Sequence, residues 1–178
     1  LFRHLYDLDE SQTTEEHEVD LIKVPASGYY EVTAAKDKIV TRSEVDSSEA
    51  EKSFHLDTYC FDSNSERTLF WDLLREQKVK KIYFTGMLTH GQSDFFIQYI
   101  DPDSRTVRSY YPDFVFLREE ADGSEKFVIV EVKGDHQIDD SVVQAKKDFA
   151  QQIAVASGME YRIIKSTDAD QRRFRVLM

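Results

Sequence analysis

Two runs of strongly β-forming residues each carry a charge where an apolar side chain belongs. Residues 127–133 read Phe-Val-Ile-Val-Glu-Val-Lys, apolar on both faces until Glu131 and Lys133. That pattern fits a central strand covered on both sides. Side chains alternate along a strand, so Glu131 and Lys133, two residues apart, share a face. The run Tyr110-Tyr111-Pro112-Asp113-Phe114-Val115-Phe116-Leu117 is likewise apolar except for Asp113, 18 residues before Glu131. Burying a carboxylate costs several kcal/mol unless something compensates it. A divalent cation held by Asp113 and Glu131, with Lys133 alongside, is one compensation, and carboxylate oxygens suit Mg²⁺ or Mn²⁺. A structural ion pair of Lys133 with Asp113 or Glu131 is the other.

The surrounding segments must hold those residues. Ser63-Asn64-Ser65-Glu66 fits a capping box, with Ser63 as N-cap, and Leu69, Phe70, Leu73 and Leu74 follow at helical spacing to about Gln77. Residues 81–85, 95–100, 107–117 (broken at Pro112), 127–133 and 161–165 read as strands. Turn chemistry stands at Asp101-Pro102-Asp103-Ser104 and Ala121-Asp122-Gly123-Ser124. A helix is predicted from Asp139 and Asp140 to about Ser157, stopped by Gly158. Its wheel puts Val142, Ala145, Phe149, Ile153 and Ala156 on one face and Lys146 at that face's edge, where a lysine snorkels to solvent or reaches the strand ends. The order from residue 63 reads as an α-β-β-β-α-β core, with four strand candidates ahead of its second helix. Ahead of it, residues 1–58 form an acidic N-terminal extension, mainly β or irregular, with strand candidates in 29–40 and 54–61 and a charged connector at 43–53. The expected division is residues 1–58 and 59–178.

With 40% hydrophobic and 32% charged residues and only three prolines, the chain is globular rather than disordered. The single cysteine, Cys60, excludes an internal disulfide and a multi-cysteine zinc site. No apolar run approaches the roughly 20 residues that span a bilayer and no signal peptide opens the chain, so a cytoplasmic setting without membrane is expected. The initial Leu1 hints at a piece of something longer. The net charge of −11 argues against nucleic acid until it is located: residues 1–66 hold 16 acidic against 6 basic side chains, and the remainder 18 against 17. The final stretch, Arg162, Lys165, Arg172, Arg173 and Arg175, is locally basic. Gly86-Met87-Leu88-Thr89-His90-Gly91 has the glycine spacing of a phosphate-binding loop, but Gln92 replaces the lysine, so no nucleotide site is expected.

Pro112-Asp113 followed by Glu131-Val132-Lys133, on adjacent β-rich runs, resembles the PD-(D/E)xK nuclease superfamily, and the order of elements matches its core. Ser109–Phe114 and Val130–Asp135 look more narrowly like the C-terminal nuclease domain of type III restriction enzyme Res subunits. The resemblance, over residues 60–168, implies a restriction-endonuclease-like α/β fold: a mixed central sheet flanked by helices. It implies a metal-dependent DNA endonuclease in which Asp113, Glu131, the Val132 carbonyl and Glu66 hold Mg²⁺ or Mn²⁺. Lys133 would orient or activate the attacking water and stabilise the phosphate. Glu66 is also explained by its capping box alone. The implied partners are DNA, an ATP-dependent helicase or translocase region of the same parent protein, a modification subunit, and a second copy in a dimer. Repair or recombination nuclease and catalytically silent binding module are the alternatives.

Lys146, His136, Arg172 and Arg173 are candidate DNA contacts, against a snorkelling lysine, a solvated loop histidine and plain surface charge balance. Tyr110 and Tyr111 either stack on a base or sugar or belong to the core. Gln144 falls on the far side of its wheel from the site.

Overall fold

The structure, a computed structural model, describes residues 18–89 and 91–178. The first 17 residues of the expected extension lie outside the described residues, as does His90. Four strands form the central sheet: β3 (Val79–Phe84), β6 (Phe114–Glu119), β7 (Glu125–Lys133) and β8 (Glu160–Lys165), in the order β3-β6-β7-β8. The first two pairings are antiparallel and β7–β8 is parallel, so the sheet is mixed. A parallel pair needs a crossover, supplied here by the helix Ser141–Ala156.

Both faces of the sheet are covered. On one lies the helix Asn64–Arg75, whose Leu69, Phe70, Leu73 and Leu74 meet Ile82, Phe84, Phe114, Phe116, Val128 and Val130. On the other, Ala150 and Ala154 of the crossover helix meet Val115, Ile129 and Tyr161. Double coverage is the reason β6 and β7 read as apolar on both faces. Glu131 is buried as a result, and Asp113, directly ahead of β6, is half-buried, because the sheet has no solvent face to place them on.

The strand predicted at 95–100 and the first part of that predicted at 107–117 separate from this sheet. Pro112 cannot donate a ladder hydrogen bond, and it divides residues 107–117 into two strands. The part before it, β5 (Val107–Tyr110), pairs with β4 (Ile97–Ile100) as a hairpin against the crossover helix. The part after it is β6. With the hairpin set aside, the α-β-β-β-α-β order is that of the core.

Ahead of the core, β1 (Ile39–Thr41) pairs with β2 (Thr58–Cys60), joined through a 3-10 turn and the short helix α1 (Ser47–Ala50). The strand expected within 29–40 is confined to its last two residues. Tyr29 and Val32 have β propensity, but they stay exposed with no partner strand. Val40, Val45, Ala50 and Phe54 are buried in the same core as Phe70 and Phe84, so that core crosses residue 58. The backbone N–H of Ile82 donates to the Lys52 carbonyl, and Lys52 Nζ donates to the carbonyls of Leu74 and Glu76, closing the C-terminus of Asn64–Arg75. The core helices are α2 (Asn64–Arg75), α3 (Ser141–Ala156) and α4 (Ser166–Asp170).

Candidate active site

Strand register brings the carboxylates together. Phe114 stands opposite Val130, so the next residue outward on β6, Asp113, stands opposite Glu131. Paired residues of an antiparallel ladder project to the same face, with Cβ atoms roughly 5 Å apart. That face is the one under α3, because Glu131 alternates with Ile129 of the α3-side core. Lys133 follows on the same face, and its ammonium forms an ion pair with Glu131 Oε1.

The backbone at Asp113 is clamped. Its carbonyl accepts from the N–H groups of Thr85 (2.9 Å) and Gly86 (3.1 Å), while Thr85 Oγ1 donates to the Pro112 carbonyl at 2.6 Å. A Cβ on Gly86 would stand 3.1 Å from both Cα and Oδ1 of Asp113, so a glycine lets the chain leaving β3 pass this close. On the other side, Asp113 Oδ2 accepts from the Val132 N–H at 2.7 Å.

Glu131 is 3% exposed, and its Oε2 is buried with no hydrogen-bond partner. Burial first, then the charge of Glu131, pushes the Asp113 carboxyl well above the usual carboxylate range. Burial also pushes Glu131 up, against the pull of Lys133. Burial works against the Lys133 cation, but Glu131 and Asp113 outweigh it and hold its pKa above the ordinary lysine value. Asp113, Glu131 and the nearby Glu66 against Lys133 and Lys146 leave a local excess of negative charge. This donor set of hard oxygens, one of them orphaned, fits a divalent cation such as Mg²⁺ or Mn²⁺. Among the described residues no three His, Cys, Asp or Glu side chains converge as a metal-binding group. Any ion here would take two carboxylates, completed by backbone carbonyl and solvent.

Glu66, expected as a further ligand, is turned to its own helix. Ser63 Oγ donates to Oε1 at 2.8 Å, the Asp62 N–H donates to Oε2 at 3.0 Å, and the Glu66 N–H donates back to Ser63 Oγ at 3.1 Å. The capping interaction gives each carboxylate oxygen a protein donor and holds the side chain toward its own helix. Glu66 still acts through space, since its charge raises the pKa values of Asp113, Glu131 and Lys133.

Lys146 is turned inward. The buried stripe of α3 is Val143, Ala150 and Ala154, with Lys146 about 40° beyond Ala150 at its edge, while Ile153 and Ala156 of the expected face are exposed. Hydrophobicity alone set the expected stripe; the small Ala150 and Ala154 allow closer docking and rotate the helix. The Lys146 ammonium lies 5.2 Å from the ring centroid of Tyr110 and 5.4 Å from that of Tyr99. Burial, then the Lys133 charge, lowers its pKa. This corrects the snorkelling expectation.

His136 is exposed in the 3-10 turn Asp135–Gln137 directly after Lys133. Arg172 and Arg173 are not brought to the carboxylates: they pair with Asp72 and Asp168, on α2 and α4. Gln144 donates to the Ile138 carbonyl at 2.5 Å, bracing the turn before α3. Tyr111 is half-buried against Phe96, and Tyr110 is buried.

Three contributions were not read from the sequence. The sequence offers Gly86 only for its phosphate-loop spacing; a glycine two residues past the end of β3 is the available signal. Tyr161 lay hidden as an ordinary strand aromatic. Tyr110 was weighed as a stacking or core ring, and the surroundings of its hydroxyl were not foreseen. No helix among the described residues is long and apolar enough to cross a membrane.

Residues 58–166, more than half of the chain, match the family model described as TnsA-like endonuclease N terminal. No curated protein matches the chain closely enough to count as a relative.

Proposed function

The chain belongs to the TnsA-like endonuclease N-terminal family, a nuclease family of restriction-endonuclease-like fold, and on that premise we propose that it is a divalent-metal-dependent DNA endonuclease domain. The observation that carries the reading is Asp113 opposite Glu131 in one buried corner, with Lys133 on the same face and Glu131 Oε2 unpartnered. A fold does not keep two opposed carboxylates and an orphaned oxygen for stability's sake.

In the proposed reaction Asp113, Glu131 and the Val132 carbonyl would hold Mg²⁺ or Mn²⁺, which would supply Lewis-acid charge and a water of lowered pKa. The backbone clamp from Thr85, Gly86 and Val132 fixes the Asp113 carboxylate. Lys133 is held as a cation at neutral pH by the acids around it. It therefore acts as a fixed positive charge that orients the attacking water and stabilises the developing charge on the phosphate, rather than as a base. Lys146 adds a second cation along the same wall, and His136 lies at the rim where a backbone phosphate would pass. Glu66 raises the negative potential without serving as a ligand.

The wider setting is part of the proposal. The segments around Asp113 and Glu131 resemble type III Res subunits, which suggests a module of a larger restriction or defence protein with a helicase region and a modification subunit. The proposed division is residues 1–58 as an acidic extension, part of which packs into the shared core, and 59–178 as the nuclease unit, acting in the cytoplasm. Cutting both strands at once needs two such sites, hence a dimer or second subunit.

The test is cleavage of supercoiled and linear plasmid by the purified chain with Mg²⁺ or Mn²⁺, against EDTA, Asp113→Ala and Lys133→Ala controls whose folding is checked by circular dichroism. Metal-dependent cutting that disappears in both folded variants supports the reading. Absence of cutting together with absence of Mn²⁺ binding by calorimetry refutes it.

A further inference from the structure

The α3 side of the site holds three buried polar atoms with no hydrogen-bond partner: Glu131 Oε2, Tyr110 Oη and Tyr161 Oη. Buried groups of this kind are normally satisfied, so several in one corner mark a place built to hold something. Their positions follow from the fold. Tyr161 on β8 stands beside Ile129, two residues before Glu131 on the same face of β7. Tyr110 ends β5, opposite Ile97, and turns inward under α3. The two hydroxyls adjoin one another without a hydrogen bond of ordinary geometry, and both feel the charges of Glu131 and Asp113.

We infer that Tyr110 and Tyr161 are positioning residues for Glu131: their hydroxyls hold one buried water against Glu131 Oε2 and so fix the direction in which that carboxylate presents itself to a cation. A water needs two to four polar partners to be kept in a buried site, and these three atoms supply them. Each carboxylate oxygen offers two lone pairs, so Oε2 accepts from the water on one and keeps the other for a metal. The other oxygen, Oε1, is already tied to Lys133. Glu131 is then held on both sides, as metal-ligating carboxylates commonly are. Lys146 contributes through the Tyr110 ring: its ammonium, 5.2 Å from the centroid, makes a cation–π contact that helps hold the ring in place.

The inference rests on the metal-binding reading above, and its test separates the two. Mn²⁺ binding to the full chain is measured by calorimetry for wild type, Tyr110→Phe, Tyr161→Phe, the double variant and Asp113→Asn. A high-resolution crystal structure of the wild type supplies the second readout. Each phenylalanine variant keeps the ring, the packing and the fold. The expected result is a Mn²⁺ Kd about tenfold weaker in each single variant, the loss typical of an outer partner of a ligand. The double variant should be little worse than either single, because both hydroxyls act on one water. An ordered water within hydrogen-bond reach of all three oxygens is expected in the crystal. Phenylalanine variants that bind Mn²⁺ with the wild-type Kd, or a dry corner between the three atoms, overturn the inference while leaving the metal site standing. Wild type that binds no Mn²⁺, with the water present, overturns the metal reading and the positioning role with it.

Discussion

Asp113→Asn should stabilise the metal-free protein while it abolishes metal binding. Asp113 and Glu131 stand opposite each other at the end of an antiparallel ladder, in a corner where Glu131 is 3% exposed. With Cβ atoms roughly 5 Å apart, two ionised carboxylates at about that spacing would repel by roughly 3 kcal/mol at an effective dielectric constant of about 20. Lys133 relieves part of that through Glu131. Asparagine keeps an oxygen to accept the Val132 N–H, so the substitution removes the repulsion without orphaning the donor. The expected net gain is about 1–3 kcal/mol, which for a chain of this size raises Tm by roughly 2–12 °C. The pH dependence has a definite sign. Both carboxyls have folded-state pKa values raised above their unfolded values, by burial first. The folded state therefore binds more protons than the unfolded one, and wild-type stability falls as pH rises from the unfolded value through the raised folded values. The advantage of Asp113→Asn should be small near pH 4 and widen toward pH 8. Urea and thermal melts in EDTA at several pH values measure it. Added Mn²⁺ should raise the wild-type Tm and leave that of the variant unchanged. A variant less stable than wild type in EDTA at pH 8 would refute the reasoning, since it would show the carboxylate pair to be fully compensated by its own surroundings.

Gly86→Ala should cost roughly 1–3 kcal/mol and weaken Mn²⁺ binding, because its Cβ would press at 3.1 Å on Asp113 Cα and Oδ1; melts and calorimetry check the pair of effects. Glu66→Gln should lower stability by about 1 kcal/mol or less and cleavage by less than tenfold, as fits a helix-capping group outside the ligand set; a loss of cleavage as complete as that of Asp113→Ala would count against that assignment. Lys146→Met should weaken DNA binding, whereas Arg172→Ala with Arg173→Ala should change it by less than twofold, because those guanidinium groups are spent on Asp72 and Asp168. Fluorescence anisotropy with a labelled duplex, at one stated salt concentration, decides this.

Much of the site was legible in the chain itself. Glu131 and Lys133 share a face because a strand alternates, and Asp113 stood out as the single charge in an apolar run. The capping role of Ser63 and Glu66 and the Asp140 N-cap and Gly158 stop of α3 are local interactions, written in residues a few positions apart. What needed the tertiary structure was every contact between distant segments. Pro112 marks a break, but only packing shows that the strand before it leaves the central sheet and joins a hairpin under α3. The wheel of α3 ranks faces by hydrophobicity, but the sheet chose the face carrying two alanines, because small side chains allow closer approach, and this carried Lys146 inward. Gly86, Tyr110 and Tyr161 are separated from Glu131 by 45, 21 and 30 positions, and no local pattern ties them to it. Sequence periodicity reports how each element divides water from core. Which buried hydroxyl meets which carboxylate is settled only when strand register and helix rotation bring their atoms into one volume.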